Sequence, residues 1–154
     1  MTRSDSAGVR LPPPIIYFLF LGAGLLLGSA WRDGHFAPLY LTVIGALLVI
    51  ASALLLLTAA GKFRRAKTHL EPWKPTTRIV TDGIYQYSRN PIYLGMAIGY
   101  AGIAIAAASP IALVLLLPCL IVIRYYVIRK EEAYLEHKFG SEYLDYKAKV
   151  RRWI

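Results

Sequence analysis

Four long apolar runs constrain what this chain can fold into. They cover about residues 14–31, 38–60, 91–108 and 110–128, and Arg124 is the one charged residue within them. A helix rises 1.5 Å per residue, so a run of about 20 residues can cross a hydrocarbon core about 30 Å thick. The pattern therefore predicts an all-α integral membrane protein with four transmembrane helices.

The composition agrees with a single membrane domain covering residues 1–154. Hydrophobic residues make up 56% of the chain, which is high for a soluble domain of this length. The single cysteine, Cys119, excludes an internal disulfide, and its apolar surroundings in the sequence indicate a small core residue. Three scattered histidines, at positions 35, 69 and 137, give no recognisable metal-binding pattern.

The first run has an alternative interpretation as a secretory signal peptide. Basic Arg3 and Arg10 precede it, and the small residues 28–30 are typical of a cleavage site. However, the run is longer than most signal-peptide cores. Aromatic residues at both of its ends, Tyr17 and Trp31, favour a retained transmembrane helix.

The distribution of Lys and Arg predicts the orientation in the membrane. Two precede the first run, one follows it, seven lie in residues 61–90, none separates the last two runs, and eight lie from Arg124 onward. The positive-inside rule then places both termini and residues 61–90 in the cytoplasm. The net charge of +9 thus belongs to a membrane face that can hold anionic headgroups, and it does not indicate a nucleic-acid partner.

The chain divides into two parts of different character. Residues 1–60 form two structural spans, in which Gly22, Gly24 and Gly28 are expected to allow close helix packing. Residues 61–154 hold a cytoplasmic segment, a helical hairpin over 91–128 and a polar tail, so any catalytic chemistry is expected there. In the tail, Gly140 is expected to end a helix that extends the fourth run, and Ser141 to cap a second short helix.

The stretch "GIYQYSRNPIYLG", residues 83–95, places polar side chains at the start of the third run. Asn90 followed by Pro91 predicts a helix start capped by the asparagine. The N–H groups and positive end of that helix, with Arg89 beside them, could also bind an anion; the alternative is that Asn90 only caps. The same stretch contains three tyrosines that can form an aromatic wall, Tyr85, Tyr87 and Tyr93.

Two adjacent carboxylates, Glu131 and Glu132, follow the fourth run directly. Because the hairpin turn is short, the start of the third helix and the end of the fourth meet, which puts Asn90 and Glu131 at one level. Arg124 lies seven residues before Glu131, on the same face of an α-helix, and an ionisable residue within a span suggests a functional site. The alternatives are a solvated helix surface for the glutamates and an arginine that extends to the interface. Glu132 is expected to be peripheral.

The segments "TRIVTDGIYQYSRNPIYLG", "EE" and "FGSEYLDYKAKV" together resemble the isoprenylcysteine carboxyl methyltransferase family, whose bacterial members also resemble phospholipid methyltransferases. The resemblance covers about residues 61–154. It implies a methyltransferase that uses S-adenosylmethionine and a lipophilic or membrane-accessible acceptor: a prenylcysteine-like carboxylate, a lipid amine or a thiol. Carried onto this sequence, the cofactor contacts it implies are Thr77, Arg78, Ile79, Val80, Tyr85, Asn90, Pro91, Ile92, Tyr93 and Glu131.

This chain departs from the family pattern at two positions. The eukaryotic motif has histidine where this chain has Asn90, so general-base chemistry is not expected there. The family's substrate arginine matches Val127, so Arg124 or Arg129 takes that role or it is absent. Arg89 and Arg124 are the predicted catalytic residues.

Two other classes of function compete with a methyltransferase. Steroid-reductase-like membrane enzymes share a similar helical end, but the sequence shows no additional basic cluster for the 2′-phosphate of a nicotinamide cofactor. A non-catalytic lipid-binding or assembly protein would explain the spans without a cofactor. Binding of S-adenosylmethionine or NADPH separates these classes.

Overall fold

The computed structural model describes residues 6–29, 37–69, 71 and 73–154, and it forms these residues into a helical fold. The helices are α1 (Pro13–Ser29), α2 (Leu39–Arg65), α3 (Pro91–Ala106), α4 (Pro110–Val122), α5 (Arg129–Phe139) and α6 (Ser141–Lys149). A short 3₁₀ helix covers Gly83–Gln86, and a π-helical segment, Ile123–Ile128, joins α4 to α5. Each apolar run therefore forms a helix, and the predicted all-α class is confirmed.

Two of these helices are long and apolar enough to cross a membrane. One is α2, with 27 residues. The other is the continuous helix Pro110–Phe139, with 30 residues, which consists of α4, the π-helical segment and α5. The other two apolar helices, α1 and α3, have 17 and 16 residues, or about 24–26 Å of length. The predicted connection between the first two runs falls largely on residues 30–36, which lie outside the described ranges.

The helices form a bundle in which α3 occupies the centre. It contacts α2, α4 and α1, and α1 also packs along α4. In the described part of the bundle, polar side chains bond neighbouring helices at a few points, such as the Tyr17 hydroxyl to the Tyr93 carbonyl at 2.9 Å and the Ser52 hydroxyl to the Gly95 carbonyl at 2.7 Å. The outer surfaces of α1 and α2 expose large apolar side chains such as Phe18 and Leu57, as expected for helices that face lipid.

Close approach between α1 and α4 requires glycine at two of the three predicted positions. A Cβ added at Gly24 would lie 2.5 Å from the Cα of Ala112, and one added at Gly28 would lie 2.5 Å from the Ser109 hydroxyl. At Gly22 an added Cβ would meet nothing within 4 Å. The packing prediction is therefore confirmed for Gly24 and Gly28 and wrong for Gly22, which faces open space.

The turns that end α3 and α5 set the position of the polar residues. Residues 107–109 connect α3 to α4, so the two helices are antiparallel neighbours, as predicted. Gly140 ends α5 with φ +54°, a conformation that favours glycine. The predicted cap by Ser141 is wrong, because α6 begins at Ser141 itself and Gly140 holds the capping position without a side chain.

Candidate functional site

A cavity of about 230 Å³ lies at the end of the bundle where α3 begins. Its walls come from residues 7–14, the loop that follows α2, the first turns of α3, and helices α5 and α6. The wall includes nine of the ten predicted cofactor contacts: Arg78, Ile79, Val80, Tyr85, Asn90, Pro91, Ile92, Tyr93 and Glu131. It also includes Arg89. The structure thus brings together residues that are up to 53 positions apart in the chain, from Arg78 to Glu131.

Thr77, the tenth predicted contact, does not line this cavity. Its side chain is exposed and its N–H donates to the Thr68 hydroxyl at 2.9 Å. The neighbouring Thr76 lines the cavity instead. In an extended loop, successive side chains alternate in direction, so a shift of one residue moves a side chain from the wall to the surface.

Arg124, predicted to be catalytic, also lies away from the cavity. Its side chain is exposed and its guanidinium carbon lies 5.5 Å from the centre of the Tyr125 ring. The prediction assumed an α-helix through to Glu131, but residues 123–128 are π-helical. A π-helix has more residues per turn, so it rotates Arg124 away from the face of Glu131. Val127, which matches the family's arginine position, is fully buried.

Glu131 connects α5 to the start of α3. One of its carboxylate oxygens accepts a hydrogen bond from the Tyr93 hydroxyl at 2.6 Å. The predicted meeting of these two helix ends is therefore confirmed. The carboxyl group belongs to the cavity wall, and burial raises its pKa to about 7, so a cationic ligand beside it would favour its charged form.

Glu132 has a different environment from its neighbour. It is 6% exposed, and its carboxylate pairs with Arg89 and with Arg152, each at 2.7 Å. The hydrogen bond to Glu132 raises the pKa of Arg152 above its ordinary value. The alternative of a solvated helix surface is therefore wrong for Glu132, whereas its peripheral position relative to a bound cofactor stays a prediction.

Arg89 is largely occupied by the C-terminal tail. Besides Glu132, its guanidinium donates to the carbonyls of Lys147 at 2.9 Å and Val150 at 3.0 Å. Its Nε is buried and has no hydrogen-bond partner among the described residues. Most of the donors of Arg89 are thus used within the protein.

Asn90 occupies the capping position of α3 without making the predicted cap. Its side-chain amide instead donates to the Arg152 carbonyl at 3.0 Å, and no side-chain bond to the first turn is formed. The side chain is drawn toward the tail, whose presence beside α3 the local motif does not reveal. The early N–H groups of α3, at Ile92 and Tyr93, consequently lack an acceptor from Asn90, and helix geometry gives them none within the helix.

Of the three tyrosines predicted to form an aromatic wall, Tyr85 and Tyr93 line the cavity. Tyr146, from α6, lines it as well. Tyr85 is 4% exposed, its hydroxyl has no partner among the described residues, and burial raises its pKa. Tyr146 donates its hydroxyl to the Tyr85 carbonyl at 2.7 Å, and burial raises the pKa of Tyr146 to about 12. Tyr87 is 74% exposed and does not line the cavity, so its assignment to the wall was wrong.

Several wall residues were missed by the sequence analysis. Three belong to the N-terminal part assigned a purely structural role: Ala7, Pro13 and Pro14. Others come from the loop after α2 and from the tail helices: His69, Glu71, Trp73, Tyr134, Tyr143 and Tyr146. Tyr143 and Tyr146 lie three residues apart in α6, a spacing that indicates a helix face that packs on another element, whereas the N-terminal contacts carry no local signal.

Residues 40–142 match a protein-family model described as phospholipid methyltransferase. This range includes most of the cavity wall. The chain is also similar to proteins named protein-S-isoprenylcysteine O-methyltransferase. It is 33% identical over 111 residues to that of Saccharomyces cerevisiae, covering 71% of this chain and 46% of the yeast protein.

Two further relatives show a similar extent of likeness. The form called B in Arabidopsis thaliana is 30% identical over 115 residues, covering 72% of this chain and 57% of that protein. The enzyme of Rattus norvegicus is 33% identical over 117 residues, covering 72% of this chain and 40% of that protein. The chain thus spans about half the length of these relatives.

Proposed function

Because this chain belongs to the phospholipid methyltransferase family, we propose that it is a membrane methyltransferase using S-adenosylmethionine and a lipophilic acceptor. Family membership rests on the match over residues 40–142, more than half of the chain. The resemblance inferred from the sequence motifs is confirmed at the level of the family. The identity of the methyl donor, the class of the acceptor and the roles of the site residues are proposed here.

The observation that carries the proposal is the chemistry of the cavity wall. Glu131 supplies a carboxylate for an ammonium group, and the start of α3 supplies N–H groups for a carboxylate. Two buried polar atoms without described partners, the Tyr85 hydroxyl and Arg89 Nε, belong to residues of the same wall. A zwitterionic amino-acid group joined to an aromatic base fits this set of donors, acceptors and rings.

When bound, S-adenosylmethionine would supply a methyl group on a sulfonium sulfur, which departs as a neutral thioether when the methyl group is transferred. The side chains of this chain then have to bind, orient and exclude water. Glu131 fixes one end of the ligand, and Ile79, Val80 and Pro91 supply apolar wall. Positioning of two reactants can contribute about 7–11 kcal/mol to lowering a barrier. A carboxylate acceptor is already deprotonated, whereas a thiol or an amine acceptor must also lose a proton.

The acceptor is proposed to be lipophilic, because the named relatives act on isoprenylcysteine groups. A carboxylate acceptor needs a cation, and the wall offers Arg78 and Arg89 rather than Arg124. A lipid amine or a thiol needs no such cation. The acceptor classes therefore differ in whether they depend on Arg78 or Arg89.

We also propose that all four apolar helices span a bacterial inner membrane with both termini in the cytoplasm. The alternation of low and high Lys and Arg counts supports this orientation. The test is an Ala148→Cys variant in a Cys119→Ala background, treated in intact cells with an impermeant thiol reagent. Labelling from the outer face would contradict the orientation.

Ligand binding to the purified protein in detergent tests the proposed function. We expect S-adenosylmethionine and S-adenosylhomocysteine to bind and NADPH not to bind, as measured by calorimetry. Binding of NADPH alone would favour a reductase, and binding of neither would favour a lipid-binding or assembly protein. Mass spectrometry of lipids and small thiols incubated with a methyl-labelled donor would then identify the acceptor.

A further inference from the structure

The C-terminal residues 147–152, called here the tail latch, are bound to the segment before α3 by a dense set of polar contacts. The Arg89 side chain donates to the carbonyls of Lys147 and Val150. The backbone N–H of Arg89 donates to the Arg151 carbonyl at 3.0 Å. The Arg152 carbonyl accepts from the Asn90 amide, and the Arg152 guanidinium pairs with Glu132. Buried contacts of this kind fix one arrangement of the tail.

Helix α6, whose last three residues belong to the latch, has little share in the main core. Its buried residues Tyr143 and Tyr146 form a small separate cluster with Val150. The main core lies between α1, α3, α4 and the π-helical segment. A segment held by a small cluster and by polar bonds opens locally more readily than one packed in the main core.

The same helix forms part of the cavity wall. Tyr143 and Tyr146 both line the cavity, and the Tyr146 hydroxyl is bonded to the Tyr85 carbonyl at 2.7 Å. Displacing α6 would therefore remove a wall of the cavity while leaving α3 and Glu131 in the bundle.

We propose that Glu132 is a positioning residue that holds the tail latch, and with it α6, closed over the cavity, so that the ligand enters and leaves when this latch opens. Glu132 does this through Arg89 on one side and Arg152 on the other. The two adjacent glutamates then have separate tasks: Glu131 faces the ligand and Glu132 controls the wall. The identity of the ligand rests on the proposed function; the closing role of Glu132 does not.

Among the three charged residues Arg89, Glu132 and Arg152, Glu132 is expected to contribute most to keeping the latch closed. Its carboxylate lies between two guanidinium groups. Without that negative charge Arg89 and Arg152 would repel each other in a partly dry environment, and the loss of one partner from a buried charge pair is strongly unfavourable. Loss of Arg152 alone leaves the Arg89–Glu132 pair intact, so its effect is smaller.

Thiol accessibility inside the cavity tests the proposal without any ligand. Met96 lines the cavity, so a Met96→Cys variant in a Cys119→Ala background reports how often the wall opens to a charged thiol reagent. We expect Glu132→Gln to raise the labelling rate by about tenfold or more, and Arg152→Gln to raise it less. Arg152→Lys, which keeps the charge, is expected to label more slowly than Arg152→Gln.

The matched control is Asp82→Asn, which removes a carboxylate from an exposed pair with Lys62 outside the cavity wall. Its labelling rate should equal that of the parent. Hydrogen exchange provides the second readout: amides of α6 should exchange faster in Glu132→Gln, while those of α3 should not. If Glu132→Gln does not fold, Arg152→Gln gives the same comparison.

Equal labelling rates in the parent, Glu132→Gln and Arg152→Gln would overturn the proposal. Faster exchange in α3 as well as α6 would also overturn it, since Glu132 would then support the whole fold rather than the wall. S-adenosylhomocysteine should slow labelling in the parent. If it does not, while the variants still differ, the proposed ligand is wrong and the latch stands.

Discussion

The bundle and the polar end of this molecule are held together by different means. The bundle consists of α1 to α4, and the polar end consists of residues 66–90 and 129–152. In the bundle, small residues let helices approach until backbone atoms touch, as Gly24 does against Ala112. In the polar end, Glu132 and its two arginines bind three separate parts of the chain.

The difference follows from what each region contacts. If α1 to α4 span the membrane as proposed, they gain little from burying apolar side chains against each other, so close packing and a few polar bonds hold them. The polar end would then contact water, where exposed ion pairs contribute little, and its strongest ion pairs are buried. Close helix packing therefore determines how the bundle is arranged, and a few buried ion pairs determine how the parts of the chain around the cavity are arranged.

The largest expected effect is the loss of a buried charge in the polar end. Arg89→Gln leaves Glu132 with one partner and leaves two tail carbonyls without their donor, so we expect a loss of about 3–5 kcal/mol. Unfolding by denaturant in detergent, followed by circular dichroism, measures it. Lys62→Gln removes an exposed pair with Asp82 and should leave stability unchanged; equal losses in the two variants would contradict the comparison.

A smaller effect is expected on binding at the cavity. Glu131→Gln removes the charge that faces the proposed ligand, and a charged hydrogen bond contributes about 1.5–3 kcal/mol. The affinity for S-adenosylhomocysteine should therefore fall about ten- to a hundredfold, as measured by calorimetry. Arg124→Gln, which removes a charge outside the cavity, should bind like the parent. Weaker binding by Arg124→Gln with Glu131→Gln unaffected would reverse the assignment of these two residues.

The bundle offers a matched pair of glycines. Gly24→Ala would force a methyl group against the Ala112 backbone, and overpacking of this kind costs about 1–3 kcal/mol. Gly22→Ala meets open space and should gain up to about 1 kcal/mol from helix propensity. The same unfolding measurement compares them. If both variants are stabilised, α1 and α4 do not pack as closely as the structure shows.

Local sequence patterns predicted the helices because apolar run length and Pro, Gly and Asn signals act within a few residues. The helix start at Pro91 and the stop at Gly140 are of this kind. The meeting of Asn90 and Glu131 was also predictable, since a short hairpin turn leaves two antiparallel helices little freedom. Nine of the ten contacts that the family resemblance implied line the cavity, but the hairpin geometry accounts only for those at the start of α3 and for Glu131.

The remaining features depend on contacts distant in sequence. The π-helical segment changes the face of Arg124, and no residue between 123 and 128 marks it by type. The side chain of Asn90 has two acceptable partners, its own helix and the tail, and only the position of residue 152 decides between them. Glu132 has the same residue type as Glu131, and its burial depends on two arginines 43 and 20 positions away.

Asn90 gives the smallest expected effect and separates two explanations of one residue. An asparagine cap can be replaced by aspartate, whose side chain accepts the same N–H bond. The observed bond runs the other way, with the Asn90 amide donating to the Arg152 carbonyl, and an aspartate cannot donate it. Both Asn90→Asp and Asn90→Ala should therefore lose about 0.5–1.5 kcal/mol, the ordinary contribution of one hydrogen bond. Denaturant unfolding of both variants checks this. If Asn90→Asp keeps full stability while Asn90→Ala loses it, Asn90 caps α3 as first predicted. The bond between the Asn90 amide and the Arg152 carbonyl would then not stabilise the tail latch.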